Sequence, residues 1–164
     1  MVNVNLIIRR ALAVILLSML SLGFLSISAA PKKQVQKIKV ACVGNSITYG
    51  TGIEDREHFS YPVQLQKMLG EKYQVGNFGK PGATLLNHGH RPYMQQEEFK
   101  EAMAFKGDIA VIHLGINDTD PRNWPNYRDE FVKDYLSLMD SLRSANPKVR
   151  FILARMTPIA DRHP

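Results

Sequence analysis

The chain has 164 residues, a formal net charge of +6, and one cysteine, with 22% charged and 45% hydrophobic residues. A single cysteine excludes an intramolecular disulfide. The lysines and arginines are scattered among acidic residues, with no basic run beyond Lys32-Lys33. This arrangement gives nucleic-acid binding little support.

The N-terminal segment has the layout of a secretory signal peptide. Arg9 and Arg10 precede a run of 15 weakly polar to apolar residues, 11–25, and small residues follow at 26–30. A membrane-spanning helix needs roughly 20 apolar residues. We therefore expect residues 1–30 to be a signal peptide and residues 31–37 a polar linker, with export to the periplasm or beyond and no membrane attachment after cleavage. An uncleaved anchor is the alternative.

The first half of the remaining chain predicts two strands around a short helix. Residues 38–43 form an apolar run that holds Cys42, which we expect to be a small core side chain. An amphipathic helix follows between Ser60, a suitable N-cap, and Gly70, a suitable end. Its apolar residues recur at helical spacing: Tyr61, Leu65, Met68 and Leu69. Residues 73–78 predict the second strand.

The second half continues the alternation of helices and strands. Residues 97–105 predict a helix, and residues 109–114 predict a central parallel strand because the run is almost continuously apolar. A longer helix is predicted up to Asn146-Pro147 from the stripe Phe131, Val132, Tyr135, Leu138, Met139 and Leu142. Residues 150–156 predict a fourth strand. Such alternation is typical of βαβ units in one parallel sheet.

Three polar motifs that contain glycine each follow a predicted strand. They are Gly44-Asn45-Ser46, the segment 77–82 around Gly79, and Gly115-Ile116-Asn117-Asp118. Each alone is ordinary turn material. Sites in open parallel sheets assemble at the carboxyl ends of the strands, where such motifs can meet. A serine that follows a glycine at the end of a strand is also how an α/β sheet presents a nucleophile.

These three blocks resemble those of the SGNH (GDSL-type) hydrolases, although Asn45 stands where that family more often has aspartate. The resemblance covers residues 38–164. It implies one three-layer αβα domain with a flavodoxin-like parallel sheet in the order 2-1-3-4, and a serine esterase that needs no metal or organic cofactor. The stretch 117–124 resembles secreted bacterial esterases of the sialate O-acetylesterase kind, so an O-acetylated sugar such as sialic acid is the expected substrate.

The resemblance also assigns roles to the catalytic residues. Ser46 would attack the ester carbonyl and form an acyl-serine intermediate. The backbone N–H groups of Ser46 and Gly79 and the side-chain amide of Asn117 would stabilise the oxyanion. The alternatives are a plain turn serine, a glycine that only shapes a turn, and an asparagine in an Asx turn.

The chain departs from the family at its other end. The family's catalytic histidine lies in a late Asp-x-x-His block after a fifth strand, and here the sequence stops soon after the fourth. Asp161-Arg162-His163 has one intervening residue instead of two. We therefore expect His163 to be a loop residue and the domain to be C-terminally incomplete, with low turnover and an exposed apolar edge strand. His88 and His90 are expected in a solvated loop without metal, and His113 as a hydrogen-bonded core residue.

Three other functions remain open. An esterase for lipids or other acyl esters is the main enzymatic alternative. A non-catalytic glycan-binding module is the second: Trp124, Tyr127 and Tyr93 could stack on sugars, with packing of these rings under long loops as an alternative of at least equal weight. A flavodoxin-like nucleotide binder is least favoured, because neither G-x-G-x-x-G nor G-x-x-x-x-G-K-[ST] occurs at the first strand–helix turn.

Overall fold

The computed structural model describes residues 36–156. Within them lies one parallel sheet in the order β2-β1-β3-β4. This order confirms the prediction. Its strands are β1 (Ile38–Gly44), β2 (Tyr73–Gly79), β3 (Ile109–His113) and β4 (Arg150–Leu153). The predicted signal peptide, most of the linker and His163 lie outside the described residues.

The helices confirm the three predicted from periodicity and add shorter ones. The helices are α1 (Ser46–Tyr49), α2 (Arg56–Phe59), α3 (Tyr61–Leu69), α4 (Glu97–Phe105), α5 (Trp124–Tyr127) and α6 (Phe131–Ala145). Short 3-10 turns cover Tyr93–Gln95, Ile116–Thr119 and Arg128–Glu130. Single-turn helices were not predicted, because four residues are too few to display a helical period.

Helices cover both faces of the sheet. Val43 of β1 and Ile112 of β3 are fully buried and belong to one core cluster with Leu138 of α6. Cys42 points to the opposite face, since neighbouring side chains in a strand alternate. There its thiol lies close to Tyr61 of α3. The molecule is therefore a three-layer αβα arrangement, as predicted.

Some predicted core positions are on the surface. Met68 is 84% exposed and Val132 is 69% exposed. The buried stripe of α6 runs through Leu138 and Leu142 and includes Asp134, so Val132 falls on the solvent side. At the sheet edge, Ile152 and Leu153 of β4 are each more than half exposed. None of the helices in residues 36–156 is long and apolar enough to cross a membrane.

The end of β2 packs directly against α1. Gly79 is paired in register with Gly44 of β1. A Cβ on Gly79 would lie 2.7 Å from the carbonyl carbon of Thr48 and would overlap the backbone nitrogen of Tyr49. Backbone atoms cannot move aside as a flexible side chain can. Only glycine therefore lets α1 lie this close to the strand ends.

Substitution of Gly79 by alanine is expected to lower the free energy of unfolding by about 3 kcal/mol, the upper part of the usual range for overpacking. Gly52→Ala is the control: its φ is +83°, but a Cβ there meets nothing within 4 Å. The control should lose about 1 kcal/mol. Urea unfolding of both variants measures the difference. Equal losses would contradict the close packing of α1 on Gly79.

The thiol of Cys42 is expected to be inert in the folded chain. Cys42 is fully buried, and burial raises its pKa to about 11. Thiolate is the reactive form, so both access and ionisation are suppressed. At pH 8, Ellman's reagent should react with one thiol per chain in denaturant and far more slowly without it. Equal rates under the two conditions would show that β1 is not held in the core.

Candidate active site

Ser46 is placed at the end of β1, as the first residue of α1. The residue before it, Asn45, is fully buried, and its Oδ1 accepts a hydrogen bond from Ile47 N at 3.0 Å. This bond caps the turn and fixes the backbone on both sides of Ser46. Asn45 Nδ2 is buried without a partner among the described residues. An aspartate would make the same cap without an unpaired donor.

Gly44 allows the sharp change of direction before Ser46. A Cβ on Gly44 would lie 2.7 Å from Thr48 Cβ and 2.9 Å from the carbonyl oxygen of His113. The first turn of α1 therefore folds back over the end of its own strand. Ser46 itself is half-buried. Ser46 lies just past the end of β1, level with the ends of the neighbouring strands β2 and β3.

Gly79 is the last residue of β2, beside Gly44. Its N–H donates to Asn77 Oδ1 at 3.0 Å, and the next N–H, of Lys80, donates to Gly44 O at 2.9 Å. The Gly79 N–H is thus engaged in this structure. To serve as an oxyanion donor, as the resemblance implies, it would have to release Asn77.

Asn117 lies in the 3-10 turn that follows β3. Its Nδ2 donates to the carbonyl oxygen of Ala83 at 2.8 Å. A primary amide has two N–H donors in one plane. One is fixed on Ala83, so the direction of the second is set as well. This second N–H is the group that could meet a substrate oxygen.

The strand register brings these three residues to one edge of the sheet. Gly44 pairs with Gly79 on one side and with His113 on the other. Neighbouring strands lie about 4.8 Å apart, so the three strand ends span about 10 Å. Ser46 and Asn117 each follow within four residues of this line. The roles given to Ser46, Gly79 and Asn117 remain predictions.

Two buried carboxylates near this edge were not predicted. Asp118 accepts hydrogen bonds from Leu85 N at 2.9 Å and Leu86 N at 2.7 Å. Asp134 of α6 accepts from Asn87 N at 2.7 Å and Asn87 Nδ2 at 3.0 Å. Burial raises the pKa of Asp118 above its usual value, although the bonds from Leu85 and Leu86 oppose this. Asp118 thus holds Leu85 and Leu86, and Asp134 holds Asn87, in a segment that has no strand or helix of its own.

Asn123 adds a further link, between the turn that follows β3 and the loop at His90. Asn123 is buried, and its Oδ1 accepts from His90 N at 2.9 Å. Its Nδ2 donates to Asn117 O at 2.9 Å and lies 2.9 Å from His90 Nδ1. His90 is exposed in a loop, as expected, and these bonds tie the loop to the turn that follows β3. Among residues 36–156, no three histidine, cysteine or acidic side chains form a group that could hold a metal.

The other histidines do not complete a catalytic pair. His88 Nδ1 lies 2.7 Å from Glu130 Oε2 on the surface. His113 was expected to be hydrogen-bonded, but its Nδ1 is buried without a partner among the described residues. The strand register places His113 beside Gly44 at the end of β3. This imidazole nitrogen therefore has no group to exchange a proton with in this part of the chain.

An Asp-x-x-His spacing also occurs early in the chain, at Asp55 and His58. His58 Nδ1 lies 2.9 Å from both carboxylate oxygens of Asp55. Both side chains are more than half exposed. The His58 carbonyl accepts from Gln64 and Lys67 of α3. In residues 36–156, no hydrogen bond joins an imidazole to Ser46 Oγ.

The aromatic residues considered for sugar stacking differ in their environments. Tyr93 is fully buried, and its hydroxyl donates to Phe78 O at 2.7 Å. Tyr93 therefore follows the packing alternative and is unavailable for stacking on a sugar, because its ring is part of the core. Trp124 is 41% exposed and meets Phe131 edge-on, with the ring centroids 5.6 Å apart. Tyr127 packs beside His88.

Comparisons with known proteins agree with this arrangement. The model of the GDSL-like Lipase/Acylhydrolase family matches residues 42–164. An acetylxylan esterase from Xylanibacter ruminicola is 49% identical over 114 residues, which are 70% of this chain and 23% of that protein. The chain therefore spans about a quarter of the length of this curated relative.

Solved structures share the fold at lower identity. AlinE4, an SGNH-hydrolase family esterase, has a TM-score of 0.52 at 20% identity, covering 72% of this chain and 58% of AlinE4. A family 2 carbohydrate esterase from Corynascus thermopiles (Myceliophthora fergusii) has a TM-score of 0.56 at 19% identity, covering 82% and 50%. The family match extends over most of the chain and includes all three strand-end blocks. This chain belongs to the GDSL-like lipase/acylhydrolase family, as the SGNH-type sequence blocks indicated.

Proposed function

We propose that this chain hydrolyses O-acetyl esters of a carbohydrate through an acyl-serine intermediate on Ser46. The observation that carries the proposal is the shared edge of β1, β2 and β3, where Ser46, Gly79 and Asn117 follow strands paired in register. The 49% identity to an acetylxylan esterase favours an acetylated sugar, including a plant polysaccharide, over the lipid esters. An O-acetylated sialic acid remains an alternative substrate for the same reaction.

The reaction needs one nucleophile and a set of fixed donors. Ser46 Oγ attacks the acetyl carbon, and its proton passes to a general base. Negative charge develops on the carbonyl oxygen, which accepts a hydrogen bond from the unoccupied N–H of Asn117 Nδ2. Collapse of this intermediate breaks the bond to the sugar oxygen, which takes the proton back from the base, and leaves acetyl-Ser46. Water then attacks the acetyl group and gives a proton to the base, and acetate leaves as the base returns this proton to Ser46.

Residues 36–156 contain no side chain identified as the general base for Ser46. The family resemblance assigns it to a late Asp-x-x-His block, and no imidazole is bonded to Ser46 here. Attack by a serine without a base is slow, because the oxyanion donors alone supply only part of the catalysis. The proposal is therefore best tested at the acylation of Ser46 as well as by turnover.

The full chain, mixed with 4-nitrophenyl acetate and quenched, should carry one acetyl group on the peptide that contains Ser46. Ser46→Ala should remove both this adduct and the release of acetate from acetylated xylan. Ser144→Ala is the matched control, since Ser144 is exposed on α6 and bonds only within its helix. Peptide mass spectrometry and an acetate assay give the readout. Equal adduct formation in Ser46→Ala and the parent chain would contradict the proposal.

Loss of the Asn117 donor should slow acetate release without preventing the binding of the sugar. Asn117→Ala is expected to lower kcat by about a hundredfold, the usual effect of removing one oxyanion donor. Asn126→Ala is the control, because Asn126 is an exposed amide on α5 that bonds only to Arg122 O. Steady-state kinetics on acetylated xylo-oligosaccharides separates kcat from KM. An unchanged kcat in Asn117→Ala would exclude Asn117 from the oxyanion site.

A further inference from the structure

The segment 83–87 is irregular in backbone but is fixed by side chains from elsewhere in the chain. Ala83, Leu85 and Leu86 are all buried, at 1% exposure or less. Their carbonyl and N–H groups face the turn that follows β3. A buried backbone group that is not in a sheet or helix needs another partner. Here the partners are two consecutive side chains, Asn117 and Asp118.

Asn117 and Asp118 contact this segment with opposite polarity. Asn117 Nδ2 donates to Ala83 O at 2.8 Å, and the Asp118 carboxylate accepts from Leu85 N at 2.9 Å and Leu86 N at 2.7 Å. The three bonds fall within four residues of the segment. Asp118 is itself completely buried. A buried carboxylate without hydrogen-bond donors is very unfavourable, so the position of Leu85 and Leu86 N–H and that of the carboxylate depend on each other.

This coupling extends to the amide of Asn117. The orientation of the amide plane is set by Ala83 O, which lies two residues before the first N–H held by Asp118. A shift of Leu85 and Leu86 reaches Ala83 O through Thr84, whose N–H donates to Arg91 O and whose carbonyl accepts from Tyr93 N. A shift of Ala83 O turns the second N–H of Asn117 away from its direction, and a hydrogen bond weakens steeply with misalignment. The position of the amide therefore depends on the bonds that hold this segment, those of Asp118 among them.

We propose that Asp118 is a positioning residue that holds residues 83–86 and thereby aims the remaining N–H of Asn117 at the substrate oxygen. The catalytic part of this inference rests on the proposed function, whereas the orientation of the amide does not. Asp118 touches no substrate atom in this account. It acts through the Ala83 carbonyl and the Asn117 side chain.

Asp134 provides an unusual internal control for this role. It is also a buried carboxylate, and it accepts from the N–H of the next residue along, Asn87. It belongs to α6, however, and the segment bonds that it makes do not include Ala83 or Asn117. Asp118→Asn and Asp134→Asn therefore remove the same kind of interaction. Only Asp118 lies next to Asn117, whose amide orientation is tested.

The experiment compares these two variants in the full chain by three measurements. The first is the urea midpoint, and the second is the ¹H–¹⁵N signal pair of the Asn117 side chain. The third is the kinetics of acetate release. Both variants should be less stable than the parent chain. Asp118→Asn should shift the Asn117 signals and lower kcat at least tenfold with KM within twofold, whereas Asp134→Asn should leave the signals in place and kcat within twofold.

The proposal is overturned if the Asn117 signals of Asp118→Asn are unchanged, or if both variants lose kcat equally. Should Asp118→Asn not fold, the test passes to the parent chain and to Asp118→Ser, whose small hydroxyl can still accept one N–H. In the parent chain we expect a scalar coupling between Asn117 Nδ2 and the Ala83 carbonyl carbon, across their hydrogen bond. Its absence would refute the proposed positioning of Asn117 by residues 83–86. If the parent releases no acetate, the proposed function fails while the signal shift still decides the role of Asp118.

Discussion

Three parallel strands end level with one another, and the candidate site depends on this register. Gly44 is opposite Gly79 in β2 and His113 in β3, so that each strand delivers its following residues to the same edge. Alternation within β1 fixes the register, because Val43 must face the core that holds Leu138 while Cys42 faces Tyr61. A slip of one residue would exchange these two faces. The burial of the sheet therefore also decides which side chains can meet at its edge.

The loops at this edge are fixed by polar contacts instead of by an apolar core. Asp118 and Asp134 are both buried, and neither forms an ion pair with a lysine or arginine among residues 36–156. Each accepts backbone N–H groups from the segment 85–87, and Asn123 joins Asn117 to His90 in the same region. Such contacts are directional, since a carboxylate binds N–H groups only in particular positions. They give a loop the rigidity that a reacting site requires without burying more apolar surface.

Much of the fold could be predicted from the sequence, because β1, β3, α4 and α6 display the periods of buried strands and amphipathic helices. The parallel sheet followed from the alternation of elements, and its strand order from the family resemblance. The exposed positions were harder: Val132 fits the apolar stripe of α6 by spacing, yet it is exposed in the structure. The buried side of the helix includes Asp134 instead, because Asn87 supplies hydrogen bonds to its carboxylate. An acidic residue four positions before Leu138, on the buried side of a helix, was the available signal.

The sequence supplies candidates for the site as three motifs but not as a network. Ser46, Gly79 and Asn117 could be proposed from glycine-bearing turns after strands together with the family resemblance, whereas the bonds of Asp118 and Asn123 join residues far apart in sequence. No local pattern records such a partnership. The engagement of the Gly79 N–H by Asn77 is a local contact, and it bears directly on which donors are available to a substrate.

The most direct test of this account is a crystal structure of the full chain after reaction with a fluorophosphonate. The account predicts phosphorus bonded to Ser46 Oγ and a phosphonyl oxygen about 3 Å from Asn117 Nδ2, with the bond from Asn117 to Ala83 intact. An adduct on another residue would contradict it. So would an adduct on Ser46 whose oxygens are all bound by other donors while the amide of Asn117 lies out of reach.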